Sequence, residues 1–576
     1  MNNAQLAQTF DQLADLLEFQ GANPFRVRAY RNAARTIHDY PEPLEQLVND
    51  PRRSVTEIKG IGADLAEKIA VLVRTGSLPM LVELQAEVPP SVLALVRIPG
   101  VGPKKAAVLN RELKITTLDE LREACLAHRV QALKGFGQKT EELILAGLEI
   151  AGQAEARMYW AAADVQAQAL LAYLKQCPAV GQLEAAGSYR RGRDTIGDLD
   201  FVATATDLTR VMDHFGNFPD VEKVIARGET KMSVRLVNGP QVDLRVVSTE
   251  SFGAALQYFT GSKDHNVTLR GMAKSRGLKI NEYGVFRLQG DEETYLAGRT
   301  EADVYAALEL PLFPPELREG RQEFDWAAAG TLPPLVETSD IVGDLHMHTH
   351  ETDGSASLEE MVAAAQARGL KYIAITDHSK RVSMANGLDE TRLRRQWEKI
   401  DRLNETLADF VVLKGCEVDI LERGGLDIQD EALAEADWIV VSVHYGQKQP
   451  RDEITKRIVD ALQNPYVSAI AHPTGRILNR RKPYEVDLEA VFAAARANRK
   501  LLEINANPAR LDLDDVSAAR AKQHGLRLVV STDAHSPTGL DCLRYGILQA
   551  RRAGLTKDDV ANTRSWPELK KLLRNG

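Results

Sequence analysis

Seven short apolar segments alternate with helical segments after residue 340, and this alternation constrains the fold more than any other feature of the chain. The apolar segments, each of strand length, span 342–348, 372–378, 411–419, 438–444, 467–472, 501–506 and 526–533. Apolar residues at helical spacing fill 358–369, 451–463 and 487–499 between them. Strands that alternate with helices form parallel sheets, and seven strands favour closure into a barrel over a sandwich.

Histidines and acids stand at the ends of these predicted strands. Eight of the twelve histidines follow residue 340. The set comprises His346, His348, Asp353, Asp377, His378, Glu417, His444, His472, Asp533 and His535. Because the carboxyl ends of strands in a parallel barrel converge on one mouth, these side chains should meet there. Mixed imidazole and carboxylate ligands suit zinc, manganese or iron, and their number predicts a site for several ions.

The first 150 residues predict an all-helical region, because apolar residues recur at helical spacing and strand-like alternation is absent. Three Gly-apolar-Gly turns precede predicted helices, and their glycines are Gly60 and Gly62, Gly100 and Gly102, and Gly135 and Gly137. Such turns let the backbone approach a ligand, and free amides at a helix start attract anions. The turns resemble the helix-hairpin-helix motif, which implies sequence-independent binding of the DNA backbone, with Lys104 just inside the second helix.

The net charge of −9 argues against nucleic-acid binding through bulk positive charge. Any DNA binding should therefore depend on the amides of these turns, a few lysines and bound metal. The start of the chain lacks a secretory signal and no apolar run has membrane-spanning length, so we expect a cytosolic protein. The four scattered cysteines predict buried thiols rather than disulfides or a thiolate zinc site.

A second group of acids follows a Gly-Ser turn. Asp198 and Asp200 share one face of an extended strand, and two carboxylates this close repel each other unless cations lie between them. Asp243, in the second strand of a hairpin predicted over 231–247, is the natural third acid of a two-metal site for nucleotidyl transfer. The amide of Gly187 and the hydroxyl of Ser188 can hold triphosphate oxygens. Arg191 can add bidentate contacts to the same phosphates.

Four motifs, in order and spacing, resemble those of a family X DNA polymerase, and the similarity runs from about residue 5 to about residue 315. They are GSYRRG at 187–192, GDLDFV at 197–202, VDLRVV at 242–247 and YFTGS at 258–262. The resemblance makes Asp198, Asp200 and Asp243 the catalytic acids, which would bind two Mg²⁺ or Mn²⁺ ions. It assigns Gly187, Ser188 and Arg191 to the triphosphate, Tyr258, Phe259 and Gly261 to the sugar pocket, Asn266 to the minor-groove edge of the base and Arg270 to the template side.

The chain departs from vertebrate members of that family at several positions. Gln241 stands where they carry an arginine that pairs with the catalytic acids, and Lys263 stands where they carry an acid. We expect Lys263 to add a cationic contact to the incoming nucleotide. Lys68 matches the Schiff-base lysine with which some members remove a 5′-deoxyribose phosphate. Lyase activity is left open, because residues 25–26 replace basic partners of that lysine.

From about residue 341 to about residue 570 the chain resembles the polymerase and histidinol phosphatase (PHP) domain. Every ligand position of that domain is filled, by His346, His348, Asp353, His378, Glu417, His444, His472, Asp533 and His535. The resemblance implies up to three divalent ions (Mn²⁺, Zn²⁺ or Fe²⁺) and metal-dependent attack on DNA 3′ ends, which is a 3′-5′ exonuclease that could also remove 3′ phosphates or nick abasic sites. Asp344 and Asp377 would orient ligands, whereas His350 and His524 match no ligand position.

These observations predict a multidomain fold. It comprises a helical lyase-like DNA-binding domain (1–80), helix-hairpin-helix fingers (81–150), an α+β nucleotidyltransferase palm (151–247), a thumb that binds the nascent base pair (248–316), a linker (317–340) and a distorted (β/α)7 barrel of PHP type (341–576). The expected function is that of a bacterial family X polymerase for gap filling in repair. Its expected partners are gapped or nicked DNA and deoxynucleoside triphosphates, and we expect a monomer in the nucleoid-associated cytosol with no membrane partner.

Two other functions are consistent with parts of the sequence. One is a template-independent nucleotidyltransferase fused to a small-molecule phosphatase, which the three glycine turns and the YFTGS motif disfavour. The other is a DNA-end scaffold with vestigial catalysis, which would require a broken acid triad or missing ligands.

Overall fold

The structure is a computed structural model that describes residues 3–39, 44–49, 52–58, 60–87, 95, 98, 101–145, 148, 157–237, 239–289 and 292–574. The chain divides into two compact units, Met1–Glu155 and Ala156–Gly576. Each unit is described by itself below.

In the first unit, helices pack around one apolar core. The helices span Asn3–Phe19, Pro24–Asp39, Leu44–Asn49, Ala63–Thr75, Pro79–Glu87, Pro103–Leu113 and Leu118–Leu126, residues 138–145 are also helical, and Val55–Glu57 form a 3-10 turn. Gly62 caps the start of the Ala63–Thr75 helix and Gly102 caps the start of the Pro103–Leu113 helix. The buried core includes Phe10, Leu13 and Ile69. The prediction of an all-helical first region is thus confirmed for the residues that the structure describes.

The second unit begins with a small α+β region. Its strands are β1 (Met158–Tyr159), β2 (Val180–Ala185), β3 (Thr195–Ile196), β4 (Asp198–Ala205), β5 (Val221–Arg227), β6 (Lys231–Leu236) and β7 (Gln241–Val247), and its helices are Trp160–Leu174, Gly187–Arg190 and Leu208–Gly216. Five strands form a sheet in the order β2-β4-β7-β6-β5, in which β4 and β7 are parallel. Side chains alternate along β7, so Val242 and Leu244 enter the core while Asp243 faces away from it.

Two helices and a small antiparallel sheet follow. The helices span Phe252–Thr260 and Lys263–Ser275, and the sheet consists of β8 (Leu278–Asn281), β9 (Gly284–Gln289) and β10 (Glu292–Ala297). A helix over Glu301–Ala306 and a 3-10 turn over Pro315–Leu317 complete this part. Tyr305 and Phe313 lie at the centre of its core.

The segment 317–340, expected to be a linker, is packed against the residues before it. It contains a helix over Glu323–Ala329 and a 3-10 turn over Thr338–Asp340. Arg318 is fully buried and contacts Glu301 at 2.5 Å. Glu323 is also fully buried and contacts His265 at 2.9 Å. Charged residues of this segment therefore take part in packing.

The last part of the second unit is a parallel barrel. Its strands are β11 (Gly343–Asp344), β12 (Tyr372–Ile375), β13 (Val411–Asp419), β14 (Trp438–Ser442), β15 (Ala469–Ile470), β16 (Leu501–Asn505) and β17 (Leu528–Ser531). They pair in sequence order and all in parallel. Its helices span Leu358–Ala367, Glu390–Asn404, Asp430–Leu433, Arg451–Leu462, Leu488–Ala497, Asp515–Gln523, Leu543–Arg552 and Trp566–Arg574, with 3-10 turns at Ser383–Ala385, Pro537–Cys542 and Ala561–Thr563. The predicted seven-stranded parallel α/β barrel is confirmed.

A backbone bridge at one end and a side chain at the other bring the first and last strands of the barrel together. Beyond the carboxyl ends of β11 and β17, Met347 forms a parallel bridge with Ala534. At the opposite end, the fully buried Asn562 lies between the first and last strands; this line of contact is called the seam. Its side chain donates to the carbonyls of Gly343 and Val530, both at 2.7 Å, and accepts from the amide of Val530 at 3.1 Å. One amide side chain thus joins β11 to β17.

Replacing Asn562 with alanine should lower the free energy of unfolding of the barrel by about 2–4 kcal/mol, since three buried backbone groups lose their partner. Urea denaturation of the full chain, followed by tryptophan fluorescence, measures this change. The matched control is Asn498→Ala, because Asn498 donates only to Ala494 at the end of a barrel helix. A loss below about 1 kcal/mol for Asn562→Ala would contradict this role.

Candidate active sites

The parallel pairing of β4 with β7 brings three acids to one face of the five-stranded sheet. Asp200 is the register partner of Asp243, and Asp198 lies two residues earlier on β4. Asp198 is exposed, while Asp200 and Asp243 are half-buried. The structure therefore brings together the three acids that the sequence singles out.

Burial and the neighbouring acids Asp198 and Asp243 raise the pKa of Asp200 to about 7. Burial also opposes ionisation of Asp243, but hydrogen bonds from Lys231, Gln241 and Ser233 outweigh it and hold the pKa of Asp243 below its usual value. One acid thus stays ionised, and the other gives up its proton readily only when a cation arrives. This is the electrostatic setting of a site that binds divalent ions.

Gln241 cannot supply the positive charge of the arginine expected at its position, and Lys231 supplies a positive charge instead. The sequence analysis missed this lysine. Lys231 lies on β6, and its Nζ is 2.9 Å from Asp243 Oδ2. The amide of Gln241 donates to Asp243 Oδ1 at 2.9 Å. Lys231 opens the predicted hairpin strand, but its distance from Asp243 follows from a strand register that sequence alone leaves undetermined.

The Gly-Ser turn lies directly against the acids. Gly187 has a φ of +64°, and a Cβ at this position would come within 2.5 Å of Asp200 Oδ2. Only glycine fits this close approach without strain. Ser188, the next residue, is partly exposed beside the triad. Arg191 is half-buried and donates to Thr260 O at 2.6 Å and to Glu319 Oε1 at 3.0 Å.

The residues assigned by resemblance to the nucleotide pocket fall into two groups. Tyr258 and Phe259 form an edge-to-face pair at 5.1 Å, and the Arg245 guanidinium lies 4.2 Å from the Phe259 ring centre. The side chain of Asn266 is buried, accepts from Gln257 at 2.7 Å and donates to the carbonyl of Tyr258 at 2.8 Å.

The second group consists of two exposed cationic residues and the buried Gly261. Lys263 and Arg270 are both exposed on the Lys263–Ser275 helix, and Arg270 donates to the carbonyl of Asn266 at 3.2 Å. Gly261 has a φ of +71°, and a Cβ there would lie 3.2 Å from Arg191 Nη1. The sugar-pocket glycine thus borders the arginine assigned to the triphosphate.

The described glycines of the three turns in the first unit lie at its surface. Gly60, Gly62, Gly102, Gly135 and Gly137 are exposed, and no atom lies within 4 Å of a Cβ built at four of them. Gly60 is the exception, with Thr36 at 3.8 Å. Gly100 and the side chain of Lys104 lie outside the described residues. The Lys68 ammonium forms an ion pair with Asp64, four residues earlier on the same helix.

At the mouth of the barrel, six imidazoles and three carboxylates form one continuous cluster. Its three groups of mutually close ligand atoms are His348, Asp353, His378 and His535, then His346, His348 and Asp533, and then His378, Glu417 and His444. His472 joins them through Glu417, with 2.9 Å between Nε2 and Oε1. The structure thus gathers all nine predicted ligands, while His350 is exposed and His524 pairs with Glu489 elsewhere.

Glu417, at the end of β13, is the centre of this cluster. It lies 2.9 Å from His378 Nδ1 and 3.4 Å from Nε2 of both His346 and His444. Burial disfavours its charge, but the surrounding imidazoles outweigh burial and hold the pKa of Glu417 well below its usual value. Burial and the nearby His535 and His378 lower the pKa of His348 to about 4. His348 is thus in the neutral form that binds metal, and Glu417 is in the ionised form. Burial opposes the charge of His378, but Glu417 and Asp353 outweigh it and raise the pKa of His378 to about 10, so this imidazole loses a proton when it binds metal.

The unsatisfied polar atoms of this cluster fit metal ions. Within the described part of the chain, His346 Nε2, His348 Nδ1 and Asp353 Oδ1 are buried without a hydrogen-bond partner. Buried polar atoms without partners are costly in a native protein, and coordination of a cation would remove that cost. The donor set of imidazoles and carboxylates suits Mn²⁺, Zn²⁺ or Fe²⁺.

Two carboxylates that orient the ligands escaped the sequence analysis. Glu503 accepts from His346 Nδ1 at 2.7 Å, which turns Nε2 of that ring toward the cluster. Asp419 contacts His444 Nδ1 at 3.2 Å. Asp419 lies two residues after Glu417 on β13, so i,i+2 spacing could have found it. Glu503 is an acid inside an apolar strand, which was its only signal.

The two acids predicted for this orienting role make other contacts. Asp344 accepts from the Thr532 hydroxyl at 2.5 Å and the His346 amide at 3.4 Å. Asp377 accepts from the amide and hydroxyl of Thr349 at 2.9 and 2.6 Å. These bonds hold the backbone of the mouth rather than an imidazole.

Family models match four parts of the chain. They describe a helix-hairpin-helix domain at 1–78, a SAM-like helix-hairpin-helix tandem at 92–149, a DNA polymerase beta thumb at 255–319 and a PHP domain at 344–507. No helix of the described residues has the length and apolar character needed to cross a membrane.

Curated relatives cover either the whole chain or the barrel. The chain is 38% identical to the DNA polymerase/3′-5′ exonuclease PolX of Bacillus subtilis (strain 168). The alignment spans 577 residues and covers 100% of this chain and 100% of that protein. It is 31% identical over 234 residues to a probable phosphatase of Thermoanaerobacter sp. (strain X514), covering 39% of this chain and 91% of that protein. A probable phosphatase of Acetivibrio thermocellus is 32% identical over 204 residues, covering 34% of this chain and 80% of that protein.

Metal binding at the acid triad should depend on pH, because the pKa of Asp200 is about 7. Below that pH an incoming ion must displace a proton, so the affinity for Mn²⁺ should fall about tenfold per pH unit, and above pH 8 it should level off. Calorimetric titration with Mn²⁺ at pH 6, 7 and 8 measures this. The component lost in Asp200→Asn isolates the triad from the barrel, and Asp213→Asn is the exposed control. A pH-independent component would contradict the expectation.

Glu503→Gln should weaken metal binding at the barrel about 10- to 100-fold, because the ring of His346 loses the carboxylate that orients it. Competition with a chelator, followed by metal analysis of the protein, measures the affinity. Glu489→Gln is the control, since the half-exposed side chain of Glu489 pairs with Arg520 outside the cluster. Equal affinities in the two variants would show that Glu503 does not orient the ligand.

Proposed function

Because the chain belongs to the bacterial family X DNA polymerases that carry a C-terminal PHP domain, we propose that it extends primers at the acid triad and removes nucleotides from DNA 3′ ends at the barrel mouth. It is a DNA-directed DNA polymerase with a 3′-5′ exonuclease. Its proposed role is gap filling in base excision repair or end joining, with 3′-phosphate removal and nicking of abasic sites as further reactions of the barrel. The observation that carries the proposal is the presence of two intact clusters of metal-binding side chains on one chain.

Both clusters fit divalent ions, with two Mg²⁺ or Mn²⁺ at the triad and up to three Mn²⁺, Zn²⁺ or Fe²⁺ at the barrel. When bound, such ions supply Lewis acidity that neutralises phosphoryl charge and lowers the pKa of an attacking hydroxyl or water. Asp198, Asp200 and Asp243 would hold them at the triad, and the nine barrel ligands at the second site.

At the triad, the 3′-hydroxyl of the primer attacks the α-phosphate of a deoxynucleoside triphosphate, and pyrophosphate leaves. Ser188 follows the glycine that touches Asp200, so its hydroxyl can hold a phosphate beside the acids. Arg191 lies next to Gly261 and can direct its guanidinium to the same phosphates. Tyr258 and Phe259 shape the sugar pocket, and the exposed Lys263 adds a cationic contact to the nucleotide.

Asn266 and Arg270 play different proposed roles at the nascent base pair. The amide of Asn266 is hydrogen-bonded to Gln257 and Tyr258. These two bonds set the orientation in which it can meet the edge of a base. Arg270 is exposed, and in the proposed role it would contact the template side. Both assignments rest on the family resemblance.

At the barrel, water attacks the phosphodiester that links the terminal 3′ nucleotide to the strand. The P–O3′ bond breaks, the preceding nucleotide leaves as a 3′-hydroxyl, and the terminal nucleotide is released as a 5′-monophosphate. Burial lowers the pKa of His348 and of His472, so these two imidazoles are neutral and available as ligands. Arg510, whose Nε lies 3.6 Å from Asp533 Oδ2 with one-fifth of its side chain exposed, offers a cation for a phosphate of the strand. Sequence analysis missed this arginine, because it follows the sixth strand in an irregular loop.

DNA binding outside the two sites is assigned to the first unit. The exposed glycines of its turns leave room for a phosphate backbone, and Lys104 would add charge there. The proposed substrates are gapped or nicked DNA and deoxynucleoside triphosphates, and the proposed enzyme is a monomer associated with the nucleoid in the bacterial cytosol. Lys68 is a candidate for 5′-deoxyribose-phosphate lyase chemistry, although its pairing with Asp64 must first be broken.

The division of labour predicts opposite phenotypes for two variants. Asp198→Ala should reduce nucleotide addition about 100-fold or more and leave 3′ degradation intact, while His346→Ala should do the reverse. A 5′-labelled primer in a one-nucleotide gap, incubated with Mn²⁺ with and without the templated nucleotide, reports both reactions on one gel.

Asp213→Ala and His524→Ala are the matched controls, since neither residue belongs to a cluster. Loss of both activities in either test variant would refute two separate sites. Extension without regard to the template would favour the alternative of a template-independent transferase.

A further inference from the structure

The turn that carries Arg191 is contacted by the barrel as well as by its own sheet. Gly192, the next residue, has a φ of +67°, and a Cβ there would lie 3.2 Å from Leu548 on the barrel helix Leu543–Arg552. Arg552, the last residue of this helix, donates through Nη1 to the carbonyl of Arg191 at 2.7 Å. The two residues are 361 positions apart in the chain.

The same guanidinium also shares an acid with Arg191. Arg552 Nη1 donates to Glu319 Oε1 at 2.7 Å, and Arg191 Nε donates to the same oxygen at 3.0 Å. Arg552 Nη2 donates to Asp515 Oδ2 at 2.7 Å. The side chain of Arg552 is 1% exposed, so its three acceptors fix it in a water-excluded place.

The strength with which Glu319 holds Arg191 depends on whether Glu319 also binds Arg552. A carboxylate oxygen that accepts from two guanidinium groups attracts each less than it would attract one alone. With Arg552 in place, the Arg191 guanidinium has less to lose when it turns to a triphosphate. Without Arg552, Glu319 Oε1 would pair with Arg191 alone, while Arg193 would still lie 3.8 Å from Oε2. The Arg191 carbonyl would also lose a buried donor.

We propose that Arg552 of the barrel is a positioning residue for the polymerase site, which holds the Arg191 turn and shares Glu319 so that Arg191 can bind the triphosphate of the incoming nucleotide. The inference rests on the proposed triphosphate role of Arg191. It assigns to the barrel a second task besides its own chemistry, namely completion of the nucleotide site.

The neighbouring residue provides a matched control. Arg551 lies on the same helix and also joins the barrel to the preceding part of the chain, through Glu316 at 2.7 Å and the Val336 carbonyl at 3.2 Å. Neither of these contacts involves Arg191 or Glu319. Arg551→Met therefore removes a contact of the same interface without touching the nucleotide turn.

The test measures KM for the templated deoxynucleotide, kcat on a one-nucleotide gap and 3′ degradation of a single strand, all with the full-length protein. Arg552→Met should raise KM about tenfold or more while kcat stays within about threefold and degradation within about twofold. Arg551→Met should keep the wild-type KM. An unchanged KM in Arg552→Met, or an equal rise in Arg551→Met, would overturn the proposal.

Two further variants keep the test decisive if Arg552→Met folds poorly. Arg552→Lys keeps the charge but cannot hold three acceptors in the fork geometry of a guanidinium, so KM should rise about threefold or more. In a Glu319→Gln background, the change at Arg552 should alter KM less than it does in wild type, because Arg552 acts through Glu319. Equal effects in both backgrounds would overturn that route. Failure of the wild type to add the templated nucleotide would instead refute the proposed function.

Discussion

Two backbone hydrogen bonds close the barrel beyond β11 and β17, and the metal cluster depends on them. The amide of His348 donates to the Ala534 carbonyl at 2.8 Å, and the amide of Asp533 donates to the His346 carbonyl at 2.9 Å. Three of these four residues are proposed ligands, so the bonds that close the barrel also set the spacing of the ligands. If the seam opened, the ligands of the first strand would separate from those of the last.

Parallel pairing of strands also positions the acid triad, which lies on a different sheet. Register between β4 and β7 places Asp200 opposite Asp243. Burial, together with the charges of Asp198 and Asp243, raises the pKa of Asp200. Lys231 relieves part of the repulsion by pairing with Asp243. The fold therefore holds one acid ready as an anion and keeps a second near its point of titration, which suits reversible binding of cations.

Buried charges also connect the polymerase part to the barrel. Buried ion pairs lose much of their attraction to desolvation, so they are weak evidence for stability. Their value here is geometric: the guanidinium of Arg552 reaches a carbonyl and two carboxylates only in one arrangement of the turn, the thumb end and the barrel helix. The residues that follow the thumb are held by a further buried pair, between Glu323 and His265.

The alternation of strands and helices and the reactive residues could both be predicted from the sequence, because both follow local rules. Alternation of apolar segments predicted the seven strands, strand-end histidines predicted the cluster, and i,i+2 spacing predicted Asp198 with Asp200. Only the tertiary structure revealed Lys231, Glu503 and Arg552 as partners of those residues. Periodicity is set by backbone geometry within a few residues, whereas these partners meet their targets through strand register, barrel closure and packing across up to 361 positions.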